Sequence, residues 1–170
     1  MIKKVLIANR GEIACRIIQA CRKLNLTSVA VFSEADAQSL HVQLADEAYA
    51  AGGSLPSESY LDSAAILEIA KSAQCDAVHP GYGFLSENAD FARAVEDAGM
   101  AWIGPTPECI MAMGDKHHAR ELAQRAGVPV LPGSQRIDQA DEPRLADIGA
   151  AIGYPLLVKA AGGGGGIGMR

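Results

Sequence analysis

The nine residues Lys4-Val-Leu-Ile-Ala-Asn-Arg-Gly-Glu12 decide how this chain folds. An unbroken apolar run, Lys4 to Ala8, predicts a strand buried in a sheet. It stops at Asn9-Arg10-Gly11, and a helical pattern starts at Glu12. Ile13, Ala14, Ile17, Ile18, Cys21 and Leu24 then recur at helix spacing. Strand, tight connection and helix are the opening of a βαβ unit.

The same alternation continues outward. Ser28–Phe32 reads as a second strand, Ser39–Ala45 as a short helix and Glu47–Ala51 as a third strand. A loop with Pro56 follows, then a helix over Tyr60–Ser72. Asp76–His79 is a fourth strand cut short by Pro80-Gly81. Ser86-Glu-Asn-Ala opens a helix running to Gly99, a suitable C′ stop. Ala101–Ile103 is a fifth strand, ended by Gly104-Pro105. Repeated βαβ units predict an α/β fold: a Rossmann-like parallel sheet with helices on both faces. Functional loops of such sheets lie at the carboxyl ends of the strands. Three loops there carry chemistry-bearing residues: Asn9–Glu12, His79–Asn88 and Gly104–Thr106.

After Thr106 the rhythm changes. Helices are expected over Glu108–Met113 and Asp115–Ala126, the second capped by Asp115 and stopped by Gly127. Val128–Gly133 reads as a strand between prolines. Asp141–Ile152 reads as a helix with Pro143 in its first turn, and Leu156–Lys159 as a strand. The expected domains are therefore residues 1–112 and 113–170.

That last strand runs from Lys159 into Gly162-Gly-Gly-Gly-Gly166-Ile-Gly168-Met-Arg170. Glycine at such density suits a backbone that must approach an anion closely, with Lys159 supplying positive charge. A flexible linker is the other reading. The loop lacks the Lys-Ser/Thr of a P-loop. Gly11 stands alone in the first strand–helix turn, which disfavours a nicotinamide or flavin fold.

Composition narrows the partners. The chain has 170 residues, 49% of them hydrophobic, and a net charge of −5. An acidic chain without a basic stripe is not a general nucleic-acid binder. No apolar run approaches a membrane span, and the first apolar run is too short for a signal peptide. Cys15, Cys21, Cys75 and Cys109 show no zinc spacing and read as buried free thiols. Arg10 and Glu12 read as an internal ion pair. In the His79–Asn88 loop, Ser86 reads as a helix cap, His79 as a backbone hydrogen-bonder, and Tyr82 and Phe84 as packing residues. Lys116, in a first helical turn, opposes the helix dipole and reads as solvated on its own. His117 and His118 point about 100° apart on a helix and cannot share a metal.

Taken together, the motifs resemble a known family. Ile7-Ala-Asn-Arg-Gly-Glu-Ile-Ala14, His41-Val with Ala45-Asp-Glu47, Ser59-Tyr-Leu61, His79-Pro-Gly-Tyr-Gly-Phe-Leu-Ser-Glu-Asn-Ala89, Ile103-Gly-Pro105, Met113-Gly-Asp-Lys116, Ala126-Gly-Val-Pro129 and Lys159-Ala-Ala-Gly-Gly-Gly-Gly-Gly are similar to the amino-terminal part of biotin carboxylase. That is the ATP-grasp component of biotin-dependent acyl-CoA carboxylases and of pyruvate carboxylase. The resemblance implies a pre-ATP-grasp domain followed by the start of an ATP-grasp domain with its lid. It implies a ligase that uses MgATP (or the Mn2+ form) and bicarbonate to carboxylate biotin on a carrier protein, working with a carboxyltransferase in the cytoplasm. By motif position, Lys116 and Lys159 contact the nucleotide phosphates, Gly165 and Gly166 cover them, and Met169 approaches the adenine.

Three positions depart from the family pattern. Ile167 stands where a Lys or Arg is usual in the lid. Gln19 and Lys23 differ from what a family dimer face carries, so a homodimer is a possibility that the resemblance leaves open. The family's catalytic residues, metal-binding carboxylates and biotin contacts are expected beyond Arg170, and no Met-Lys-Met biotin acceptor is present. The isolated chain is therefore expected to be inactive, with residues 162–168 as the mobile tip of a lid. The alternatives are another ATP-grasp ligase, such as a carbamoyl-phosphate synthetase, and a non-catalytic module that binds nucleotide or a partner.

Overall fold

A computed structural model describes residues 1–138 and 144–159. The chain divides into two compact units, Met1–Met111 and Ala112–Arg170. Among the described residues of the first unit, five parallel strands form one sheet in the order β3-β2-β1-β4-β5. They are β1 (Lys4–Ile7), β2 (Thr27–Ser33), β3 (Glu47–Gly52), β4 (Ala77–His79) and β5 (Ala101–Trp102). The connecting helices are α1 (Gly11–Lys23), α2 (Leu40–Leu44), α3 (Ser63–Ser72) and α4 (Ala89–Asp97).

The apolar run of β1 is unbroken because both faces of the strand are covered. Val5 and Ile7 belong to the clusters that take Ala14, Ile18 and Cys21 from α1. Leu6 and Ala8, alternating with them, join Ile66 and Ala70 of α3 and Phe91, Ala92 and Val95 of α4. Each large apolar side chain so buried contributes about 1.5–3 kcal/mol. Neighbouring strands are fixed in register: Leu6 lies opposite Val29 of β2 and Val78 of β4. β1 therefore has a neighbour on each side, β2 and β4, and the winding runs outward from it first to β3 and then, reversed, to β5. The crevice between the carboxyl ends of β1 and β4 is the topological switch point.

The helix starts need correcting. Ser86 opens no α-helix; it lies in a 3-10 turn, Phe84–Glu87, and Asn88 caps α4 by accepting from Phe91 N at 2.9 Å. Asn is among the preferred capping residues, and the extended backbone of Asn88 completes the cap. The helix expected from Tyr60 begins at Ser63, where Asp62 accepts from Ala65 N. Tyr60 is drawn into the loop before it by buried hydrogen bonds.

In the second unit, α5 (Pro107–Gly114) leads in across the boundary, followed by α6 (Lys116–Arg125) and α7 (Leu145–Ile152). Asp115 caps α6 as expected, accepting from the backbone N–H groups of His117 and His118, both at 2.9 Å. His118 is exposed and His117 half-buried. Neither Val128–Gly133 nor Leu156–Lys159 is a strand among the described residues. Strand identity requires ladder partners, and short apolar runs do not supply them alone. The start of the helix expected at Asp141, and the glycine loop, lie outside the described residues. Of the cysteines, Cys21 and Cys75 are buried, Cys15 is half-buried and Cys109 is exposed; all are free.

Candidate functional site

The loops at the carboxyl ends of β1 and β4 meet through Asn9. Its side chain is fully buried, with relative exposure of 0%. Nδ2 donates to Pro80 O at 2.8 Å and to Tyr82 O at 3.0 Å, while Oδ1 accepts from Arg10 N. Gly81 makes this approach possible. Its φ is +67°, and a Cβ there would stand 2.7 Å from Asn9 Nδ2 and 2.7 Å from Ile13 Cγ2. The switch-point crevice, where doubly wound sheets take their ligands, is thus filled by the chain's own carboxamide.

A second set of bonds ties in the loops after β2 and β3. Asp36, 5% exposed, accepts from Nε and Nη2 of Arg10. It also accepts from Tyr60 Oη at 2.7 Å and Ser39 Oγ at 3.0 Å. The Arg10 guanidinium above all, then the Tyr60 and Ser39 hydroxyls, hold the Asp36 carboxyl well below the usual carboxylate range. The expected Arg10–Glu12 pair is therefore not formed. Side chains two apart around a helix start diverge, so Arg10 turns to Asp36. Glu12 accepts instead from Tyr82 Oη at 2.8 Å. The Tyr60 ring stacks on Phe84 at 5.2 Å between centroids.

His79 serves the loop through its ring: Nδ1 accepts from Gly81 N at 3.0 Å, so the neutral ring carries its proton on Nε2. Burial pushes its pKa down. Tyr82 is 61% exposed, although Glu12 and Asn9 hold its two ends. At β5, Trp102 Nε1 donates to Pro105 O at 3.0 Å, and Gly104 leaves room for the indole. Hydrogen bonds within the chain thus hold groups in all three loops.

The predicted nucleotide residues are placed differently. Lys116 is the first residue of α6 and exposed; Lys159 is exposed beyond Val158. Gly165, Gly166 and Met169 lie outside the described residues. Among the described residues no three His, Cys, Asp or Glu side chains gather as a metal site, and no helix is long and apolar enough to cross a membrane. Sequence reasoning missed Asp36, whose partner is 26 residues away, and the plugging role of Asn9. The one available signal was a carboxamide ending an otherwise apolar strand.

The five-stranded parallel sheet, its switch-point crevice taken up by its own side chains, defines a Rossmann-like domain, and the unit after it matches the start of an ATP-grasp domain. Residues 1–110 match the family model of the biotin carboxylase N-terminal domain, and residues 115–170 that of the carbamoyl-phosphate synthase L chain ATP-binding domain. The chain belongs to the biotin carboxylase N-terminal domain family. It is 58% identical over all 170 residues to the biotin carboxylase of Halalkalibacterium halodurans, and spans 37% of that protein's length. Among solved structures, it is similar to the biotin carboxylase–βγ-ATP complex of Campylobacter jejuni, with TM-score 0.92 and 44% identity over 100% of this chain and 38% of that one. It is also similar to the biotin carboxylase domain dimer of the Hydrogenobacter thermophilus 2-oxoglutarate carboxylase, solved with MgADP, ADP and bicarbonate. There the TM-score is 0.90 and the identity 48%, over 100% of this chain and 37% of that one.

Proposed function

We propose that this chain is the leading part of a biotin carboxylase, which uses ATP and bicarbonate to carboxylate biotin on a carrier protein. The observation that carries this reading is the 58% identity running through both units to a relative of that name. It favours a biotin carboxylase over a carbamoyl-phosphate synthetase, because the match to the former runs across residues 115–170 too. The carboxylated carrier then serves a carboxyltransferase, in the cytoplasm, within an acyl-CoA carboxylase.

In this reading residues 1–112 are scaffold and residues 113–170 begin the ATP-grasp domain. Lys116 and Lys159 place fixed positive charge against the nucleotide phosphates, which suits the charge of a phosphoryl group in transfer. Gly165 and Gly166 offer backbone N–H groups to the same phosphates, and Met169 lies against the adenine. Magnesium or manganese would supply Lewis-acid chemistry when bound.

The test uses the complete protein that contains this chain. Bicarbonate-dependent ATP cleavage with free biotin as acceptor is expected, and Lys116→Ala should raise KM for ATP at least ~10-fold. The 170-residue chain alone should show no such cleavage. A complete protein that cleaves ATP with ammonia and bicarbonate, but not with biotin, would overturn the reading.

A further inference from the structure

The second unit contains a cleft of about 490 Å³, a volume that suits a small organic ligand. Three arginines line it: Arg120, Arg136 and Arg144. Among the described residues no acidic side chain does, although the protein as a whole carries a net charge of −5. Ile137, Ile148 and Ile152 supply an apolar wall.

Arg120 is built into the fold. Half-buried, it donates from Nη1 to Ser134 O at 3.2 Å and from Nη2 to Gly133 O at 2.7 Å. Gly133 leaves room for this, because a Cβ there would push the Arg120 Nη1 aside. The clamp holds the connector after α6 in place and leaves the arginine's charge without a carboxylate partner among the described residues. Arg136 and Arg144 are exposed and have no hydrogen bond or ion pair among the described residues. Planar guanidinium groups pair most readily with phosphate or carboxylate oxygens. Neither Lys116 nor Lys159 lines the cleft.

We propose that this cleft is a second anion site, separate from the nucleotide site, that takes a phosphate monoester with a short apolar body. Arg136 and Arg144 bind the phosphate, Arg120 adds its field from the floor, and the isoleucines cover the apolar part. Such a ligand would act on the domain that carries Lys116 and Lys159, as an effector rather than a substrate.

The test is a 1H–15N NMR titration of the 170-residue chain with octyl phosphate, beside inorganic phosphate. Saturable shifts are expected at Gly133, Ser134, Ile148 and Ile152, with inorganic phosphate at least ~10-fold weaker for lack of the apolar contact. The pair Arg136→Ala/Arg144→Ala should weaken octyl phosphate at least ~10-fold. Ala151→Glu, which sets a carboxylate on the cleft wall, should do the same. Both changes are on exposed residues, and the unchanged remainder of the spectrum reports the fold. Lys116→Ala/Lys159→Ala should leave binding as it is. Binding unchanged in the arginine variant, equal affinity for inorganic phosphate, or loss of binding in the lysine variant would each overturn the proposal. The last outcome would assign the anion to the nucleotide site and so leave the proposed function standing.

Discussion

The two units treat their polar groups in opposite ways. In residues 1–111 the chemistry-bearing side chains at the strand ends are spent on each other. Asn9 holds two carbonyls, Asp36 holds Arg10, Tyr60 and Ser39, and Tyr60 stacks on Phe84. In the second unit Gly149 is the one buried residue among those described. Leu131 is 86% exposed and Val158 56%, and Lys116 and Lys159 face solvent. A residue in the first unit therefore acts through position, and its loss should appear as stability. A residue in the second should appear as binding.

The largest effect that would sharpen this contrast is at Gly81. Gly81→Ala combines a φ of +67° with two contacts at 2.7 Å. Left-handed backbone costs about 1–2 kcal/mol for an L-residue, and overpacking a further 1–3. A loss of ~2–5 kcal/mol in urea unfolding is expected. A loss below 1 kcal/mol would show that the Asn9 plug yields easily, and that the crevice is available after all.

Next comes Asp36→Ala. It leaves buried Tyr60 Oη without its acceptor and strips Arg10 of its fork. Arg10 remains half-exposed and can hydrate, so the expected loss is ~2–3 kcal/mol rather than that of a fully buried pair. The same carboxylate gives a pH signature. Its folded pKa is depressed, so its stabilisation is complete above the ordinary carboxylate pKa of about 3.9 and is lost as pH falls below it. Unfolding midpoints measured from pH 5 to pH 3 should fall steeply in the parent chain and more shallowly in Asp36→Ala.

Acid acts earlier on the histidines, with a smaller effect. His41 is fully buried; Nε2 meets Val31 O at 3.2 Å, and Nδ1 has no partner among the described residues. Burial lowers its pKa and that of His79. For a base whose folded pKa is depressed, the unfolded chain binds the extra proton. Stability is then full above the ordinary pKa of about 6.5 and declines below it. A stability slope between pH 7 and pH 5 is expected, and His41→Gln should reduce it, with His79 supplying the rest. An unaltered slope would take His41 out of the balance.

Much of this fold was legible in the chain because its signal is local. An unbroken apolar run such as Val5–Ala8 needs cover on both faces, and helix spacing in Ile13–Leu24 says where one cover comes from. The cap at Asp115 was legible for the same reason. What could not be read depends on distance in sequence. Arg10 chose Asp36, 26 residues away, over Glu12, two residues away. Val128–Gly133 looked like a strand because its residue types suit one, but ladder partners decide strands and residue types do not. The nucleotide residues Lys116 and Lys159 drew their meaning from the family motifs. The structure gives them exposure.

Lys116→Ala should therefore have the smallest effect on folding and the most telling one on ligand. The side chain is exposed at the first position of α6. A cation there opposes the helix dipole, an interaction of about 0.3–1 kcal/mol before solvent screening. The lysine also has an interaction of its own within the chain, which offsets part of that. Stability should consequently move by no more than ~0.5 kcal/mol in either direction. ATP affinity of the complete protein should fall at least ~10-fold, as loss of a charge-assisted phosphate contact requires. If instead stability drops by more than 1 kcal/mol and affinity holds, Lys116 belongs with Asn9 and Asp36 among the positioning residues. The contrast between a self-bonded first unit and a ligand-facing second would then fail at its sharpest point.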